Sequence, residues 1–172
     1  MSRVRLRQIA RTDGPALVRS NLESQSYHLP WVTSFTDEVA FNIWFNQRLT
    51  GPHVSFLAID GASDGIAGVV NISEIVAGAF QSAYLGFYGM AAYAGKGLVT
   101  EAVGEAIRFA FTDLGLHRLE ANIQPANKRS IAAVKRLGFQ LEGFSPRYLR
   151  IGGEWRDHER WALLADSPTN SN

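Results

Sequence analysis

Apolar and polar positions along this chain change period several times, and each change marks an element. Val4, Leu6 and Ile9 alternate with charged or polar residues, the pattern of a half-solvated first strand. Thr12-Asp13-Gly14-Pro15 supplies an N-cap and a first-turn proline for a helix. The stretch from Ser24 to Phe35 has no period and gathers Tyr27, Trp31 and Phe35 around Pro30, so it reads as a loop or helix edge. Thr36, Asp37 and Glu38 open a second helix with apolar Val39, Phe41, Ile43, Trp44 and Phe45, stopped by Gly51-Pro52.

A period of two then takes over. Val54–Ile59 and Ile66–Ile75 flank a polar turn at Asp60–Gly65, and a third strand runs from about Phe80 to Tyr88. Leu98–Leu114 returns to helical spacing, with Val99, Ala102, Val103, Ala106, Ile107, Ala110 and Phe111 available to a core and Gly115 as its stop. Leu116–Ile123 predicts a strand, and Asn127 caps a helix ending at Leu137 before Gly138. Phe139–Leu149 and Trp155–Leu164 are two strands joined at Gly152-Gly153. The expectation is one α/β (α+β) domain over residues 1–166 with a mostly antiparallel sheet, followed by a polar tail at 167–172.

Composition narrows the class. The 172 residues carry a net charge of +1 without long Lys/Arg runs, which gives no reason to expect a nucleic-acid partner. There is no cysteine, hence no disulfide and no thiolate chemistry, and His28, His53, His117 and His158 lack ligand spacing, so no metal is assigned. Neither a signal-peptide core nor a membrane-length apolar run occurs, which points to a cytoplasmic location without a membrane partner. The sequence leaves the oligomeric state open between monomer and homodimer.

The segment richest in chemistry is Tyr93-Ala94-Gly95-Lys96-Gly97-Leu98-Val99-Thr100-Glu101-Ala102, where a strand hands over to the long helix. Glycines there allow backbone N–H groups to turn toward an anion at the positive end of a helix. A bare two-glycine turn fits the same residues. A P-loop does not, because the glycine spacing and terminal hydroxyl are wrong, nor does a Rossmann fingerprint, because Thr100 stands where the third glycine belongs and no acidic ribose partner follows a second strand.

Together with segments farther along the chain, this turn resembles the GNAT superfamily of N-acetyltransferases. Gly95-Lys96-Gly97-Leu98 and Thr100-Glu101-Ala102 are similar to the family's pyrophosphate turn; Asn127-Lys128-Arg129-Ser130 and Leu137-Gly138-Phe139 are similar to its second signature. Tyr84-Leu85-Gly86-Phe87 and Gly153-Glu154-Trp155-Arg156-Asp157-His158 resemble the RimJ/RimL branch. The resemblance implies a GNAT fold: a central sheet splayed around acetyl-CoA and flanked by about four helices. It implies pantetheine contacts from the main chain of Tyr88, Gly89 and Met90, and a pyrophosphate cradle from Gly95, Lys96, Gly97, Leu98 and Val99, with Thr100 nearby. Ala94 stands where the family usually has Gln or Arg. Asn127 is implied as a cofactor contact and Ser130 as the acid for the leaving thiolate, although a helix cap and a solvated first-turn residue explain the same positions.

The carboxylate that relatives use as base is absent at both family positions, held here by Tyr84 and Leu149. Glu74, Asp157 and His158 remain as candidates, each with a structural alternative. An α-amine with pKa near ~7.8 is about 14% neutral at pH 7, against about 0.04% for a lysine near ~10.4. A weak or missing base therefore favours a protein N-terminus or a weakly basic small amine as acceptor. The loop with Pro30-Trp31 resembles the RimJ-type border of the acceptor site, and Trp31, Tyr84, Tyr148 and Trp155 are its candidate contacts. Three readings stay open: acetyl transfer to a protein α-amine, acetyl transfer to a small amine such as an antibiotic or metabolite, and a non-catalytic CoA-binding or sensing module.

Overall fold

The computed structural model describes residues 3–166, so the polar tail at 167–172 lies outside the described residues. Seven strands form one sheet in the order β1-β2-β3-β4-β5-β7-β6. They are β1 (Val4–Gln8), β2 (Val54–Asp60), β3 (Ile66–Val76), β4 (Ser82–Gly89), β5 (Arg118–Ile123), β6 (Gln140–Ile151) and β7 (Glu154–Leu164). Every neighbouring pair is antiparallel except β4–β5.

Five α-helices accompany the sheet among the described residues: α1 (Gly14–Glu23), α2 (Gln25–His28), α3 (Glu38–Thr50), α4 (Leu98–Thr112) and α5 (Lys128–Arg136). The one more than the sequence predicts is α2, a single turn inside the aromatic loop. Asp37 caps α3 by accepting the Ala40 amide at 2.8 Å, and Asn127 caps α5 by accepting the Ser130 amide at 3.2 Å.

Two apolar cores lie on opposite faces of β3. Val70 and Ile72 join Ala102, Val103, Ala106 and Ala110 of α4, whose alanine stripe allows its backbone close to the sheet. Val69 joins Leu17, Phe41 and Phe45 of α1 and α3. Burial on both faces explains why β3 reads as a nearly continuous apolar run. Full burial of a side chain such as Phe41 contributes about 1.5–3 kcal/mol. Val39 and Ile43, apolar in the sequence of α3, face outward, and Phe80 precedes β4 fully outside the core.

Of the four register shifts among the described strands, two bear on the candidate residues. The β3–β4 register shifts between Ser73 and Val76, with Glu74 at φ +51°. The β6–β7 register shifts between Ser145 and Leu149, with Arg147 at φ +47° and its amide donating to Asp157 Oδ1 at 2.8 Å.

Candidate active site

The parallel pairing of β4 with β5 covers Ser82–Arg118, Ala83–Leu119 and Tyr84–Glu120 and then stops. Beyond it the strands part, and Leu85–Gly89 and Ala121–Ile123 line a cleft of about 970 Å³. The loop after α2, the turn before α4, the face of α5 and the β6–β7 hairpin complete its walls.

Antiparallel alternation fixes which main-chain groups the cleft can use. The Met90 amide donates to the Ala67 carbonyl at 2.9 Å, and Tyr88 sits opposite Val69, so the main chains of Tyr88 and Met90 face β3. Phe87 and Gly89 are the residues whose main chains face the parted side. Main-chain pantetheine contacts are expected at Tyr88, Gly89 and Met90; Tyr88 pairs with β3, and the Met90 amide and carbonyl are bonded to Ala67 and Tyr93, although both residues line the cleft. Burial also pushes the Tyr88 phenol above its ordinary range, keeping it protonated.

At the wide end, Gly95 and Gly97 take φ +76° and +78°, left-handed values that any side chain resists. Gly97 is the N-cap of α4, and the first i→i−4 bond of the helix is Glu101 N–H to Gly97 O at 3.1 Å. The amides of Leu98, Val99 and Thr100 therefore precede the helical ladder, and all three residues line the cleft with Gly95 and Gly97. Lys96 does not line it; its Nζ lies 5.0 Å above the Tyr93 ring. Arg3 adds charge there. Its Nη2 is 3.3 Å from where a Gly97 Cβ would stand, and its Nε donates to Glu101 Oε1 at 2.7 Å.

Asn127 and Ser130 both line the cleft from the start of α5. The Asn127 Oδ1 is committed to its cap, which leaves the amide nitrogen for a bound molecule. On β5, Asn122 also lines the cleft, and its Oδ1 is buried with no partner among the described residues. It is an acceptor waiting for an N–H.

The three base candidates part company. Glu74 sits on the β3 bulge outside the cleft lining, its amide on His53 Nδ1 at 3.1 Å. Asp157 is also outside the lining, and its carboxylate holds the Arg147 amide of the β6 bulge. His158 alone reaches the cleft: it is 3% exposed and one ring nitrogen, Nδ1, is 2.9 Å from the Arg156 carbonyl. A carbonyl only accepts, so Nδ1 is the donor in that bond and Nε2 is the ring nitrogen outside it.

Of the expected acceptor contacts, Trp31 lines the cleft, whereas Tyr84, Tyr148 and Trp155 do not. Tyr84 bonds Tyr148, which raises its phenol pKa, and the Tyr148 ring centroid lies 6.4 Å from that of His158. Tyr148 thus packs beside His158, and Tyr84 reaches it through Tyr148. Trp155 is 61% exposed on the outer hairpin.

Three cleft or cleft-side residues carry no signal in the sequence: Arg3, His28 and Arg48. His28 is buried, with Nε2 2.9 Å from the Gly89 carbonyl and Nδ1 2.9 Å from Ser34 Oγ. Among the described residues the lining holds Arg48, Lys128, Arg129 and Arg136 but no carboxylate. No three His, Cys, Asp or Glu side chains gather into a metal-binding group among them. No described helix is long and apolar enough to cross a membrane.

Known proteins resemble the chain in both sequence and fold. Residues 3–140 match the family described as acetyltransferase (GNAT) domain. The chain is 36% identical to "Probable N-acetyltransferase YjcK" of Bacillus subtilis over 121 residues, 70% of this chain and 67% of that protein. It is 46% identical to the [ribosomal protein uS5]-alanine N-acetyltransferase of Escherichia coli over 98 residues, 57% of this chain and only 50% of that protein. The spermidine N(1)-acetyltransferase of Escherichia coli is 33% identical over 72 residues, 42% of this chain and 39% of that protein. Among solved structures, Mycobacterium smegmatis RimJ in complex with CoA-disulfide superposes with a TM-score of 0.85 at 28% identity, covering 96% of this chain and 85% of that one.

Proposed function

The chain belongs to the GNAT acetyltransferase family, and from that premise we propose that it transfers the acetyl group of acetyl-CoA to the α-amine of a protein N-terminus, in the cytoplasm and as one catalytic domain over residues 1–166. The observation that carries this reading is the course of the cleft. It runs unbroken from the unpaired amides of Leu98–Thr100 to His158.

The residues present fit acetyl-CoA. Two left-handed glycines and a helix start suit a pyrophosphate, the cations of α5 and Arg3 suit its charge, and the orphaned Asn122 Oδ1 suits an amide N–H of the pantetheine arm. Bound there, acetyl-CoA supplies an activated thioester. His158 Nε2 takes the proton that the acceptor amine sheds as its nitrogen bonds the acetyl carbon. As the C–S bond breaks, the Ser130 hydroxyl donates to the departing sulfur, whose thiol pKa near ~8.5 requires little help. Catalytic roles thus fall to His158 and Ser130, with Trp31 walling the acceptor side.

Acceptor class follows from charge. A polyamine carries several cations and calls for carboxylates; the described lining has none, and Arg48 is the one lining Arg or Lys not already assigned to the cofactor. A small amine is the second reading; the likeness to a spermidine N(1)-acetyltransferase supports small amines as acceptors within the family, although that particular acceptor is a polycation. The test is CoA release from acetyl-CoA across free-N-terminus peptides, the same peptides blocked at the N-terminus but containing lysine, free amino acids and spermidine. Turnover confined to free-N-terminus peptides is expected. Efficient use of the blocked lysine peptides or of spermidine overturns it, and CoA binding without any turnover assigns a sensing module instead.

A further inference from the structure

Arg48 lines the cleft from α3, an element separate from the glycine turn. It lies on the last turn of α3, where the negative end of the helix dipole favours a cation. Its guanidinium carbon is 5.3 Å above the ring of Trp44, one turn earlier, so aromatic stacking fixes the group in place. Nε and Nη1 are buried and have no hydrogen-bond partner among the described residues. Burial lowers the Arg48 pKa, and the charge of Glu74 opposes that shift from a distance without forming an ion pair. An arginine keeps its charge under such conditions. Leaving buried donors of a charged group unpaired is costly, and a protein tolerates it chiefly where a bound molecule completes them.

Asn71 and Gly86 line the same cleft as Arg48. Asn71 of β3 sits opposite Gly86 of β4. The Asn71 Oδ1 accepts the Ser55 hydroxyl at 2.7 Å, which leaves its N–H donors free. A Cβ at Gly86 would meet nothing within 4 Å, so the glycine floors a void rather than a tight contact. Gly86 precedes Gly89 by three positions, about 10 Å along an extended strand. Asn71 and Gly86 thus lie toward the paired end of β4 rather than at the Gly89 end that leads to the phosphate-binding turn, and we take Arg48 with them as the acceptor side of the cleft.

We propose that Arg48 is the specificity-determining residue for the acceptor: its guanidinium pairs with a carboxylate that the acceptor carries near the amine, so the enzyme selects acceptors that are acidic close to their reactive end. The carboxylate comes from an Asp or Glu side chain in the first residues of a peptide, or from the free carboxyl group of an amino acid. The inference rests on the acetyl-transfer reading for its biological meaning, but the pairing itself is measurable without turnover.

The test is calorimetric titration of the CoA-loaded protein with short free-N-terminus peptides bearing Glu, Gln or Lys at the second, third or fourth position, and with free glutamate. Glu peptides, or glutamate, are expected to bind about 10- to 100-fold tighter than their uncharged counterparts, the range of hydrogen bonds to a charged group. Preference for the peptides identifies a side-chain carboxylate as the source, and preference for glutamate a free one. Arg48→Met is expected to erase the advantage, Arg48→Lys to keep part of it, and both to retain CoA affinity. Equal affinity of Glu, Gln and Lys peptides for the unaltered protein, with no binding of glutamate, overturns the proposal. So does an acidic preference that survives in Arg48→Met; should that variant misfold, Arg48→Gln and Arg48→Lys carry the same comparison. A protein that binds acidic peptides through Arg48 yet never acetylates them refutes the acetyl-transfer reading alone.

Discussion

The imidazole of His28 donates from Nε2 to the carbonyl oxygen of Gly89, 2.9 Å away, and so fastens the aromatic loop to the end of β4. That carbonyl is on the parted side of the strand, where a β5 partner would otherwise sit. The ring accepts from the Ser34 hydroxyl at Nδ1, an arrangement that suits the neutral form. Burial accordingly pushes the His28 pKa below its ordinary value of 6.5, despite an opposing contribution from the Gly89 carbonyl.

This fixes the sign of a pH effect on stability. The unfolded chain takes up a proton below pH 6.5, whereas the folded one resists it, so stability is full above that value and declines as pH falls toward the depressed folded pKa. The melting temperature is expected to drop between pH 7.5 and pH 5, and to drop less in His28→Gln. Parallel pH curves for the two proteins would contradict the assignment. A further loss at still lower pH belongs to Asp13, which its hydrogen bond to Arg7 holds below the usual carboxylate range.

Gly97→Asp places a Cβ against Arg3, a left-handed φ under an L side chain and a carboxylate at the helix start where a pyrophosphate is expected. The backbone cost alone is about 1–2 kcal/mol. The folded variant is expected to lose the rise in melting temperature that acetyl-CoA gives the unaltered protein by mass action. An undiminished rise in differential scanning fluorimetry would move the phosphate site elsewhere.

His158→Gln removes the one cleft-lining base candidate and should lower kcat by about 10²–10⁴-fold with CoA affinity kept. Asp157→Asn only weakens the carboxylate that holds the Arg147 amide, so its effect on kcat should stay within about tenfold. Steady-state kinetics of the pair separate them: the reverse ranking returns the base to Asp157.

Ser130→Ala and Asn127→Ala distinguish chemistry from helix capping. Loss of the Asn127 cap should cost about 1 kcal/mol of stability, visible in urea unfolding. Ser130→Ala should leave stability and CoA binding close to normal and lower turnover, because the Ser130 amide rather than its hydroxyl serves the cap. Unchanged turnover in that variant would restrict Ser130 to the helix start.

Local chemistry was legible in the sequence where one segment suffices to produce it. The αL glycines of 95–97, the Asn127 cap and the alanine face of α4 follow from residue type and spacing, and the structure has all three. What the sequence hid depends on partners far along the chain. Arg3 meets Glu101 across 98 positions, and His28 meets Gly89 across 61. Arg48 reads as an ordinary last-turn cation of α3 until the fold encloses it. Strand parity was hidden as well: only the observed register shows that Met90 gives its amide to Ala67, and only the bulge shows that Glu74 leaves the cleft. A bulge inserts one residue without a hydrophobic signature, so alternation cannot announce it.

The short β4–β5 seam has a consequence for cooperativity. Within the sheet, three residue pairs join β1–β4 to β5–β7, a thin weld between two halves that each have longer antiparallel seams and otherwise share the apolar core under α4. A molecule lodged in the parted region touches both halves and acts as a splint across the weld. Amide hydrogen exchange in β4 and β5 should therefore slow together when acetyl-CoA is added, including at residues that never touch it, because opening either half then requires releasing the molecule that joins them.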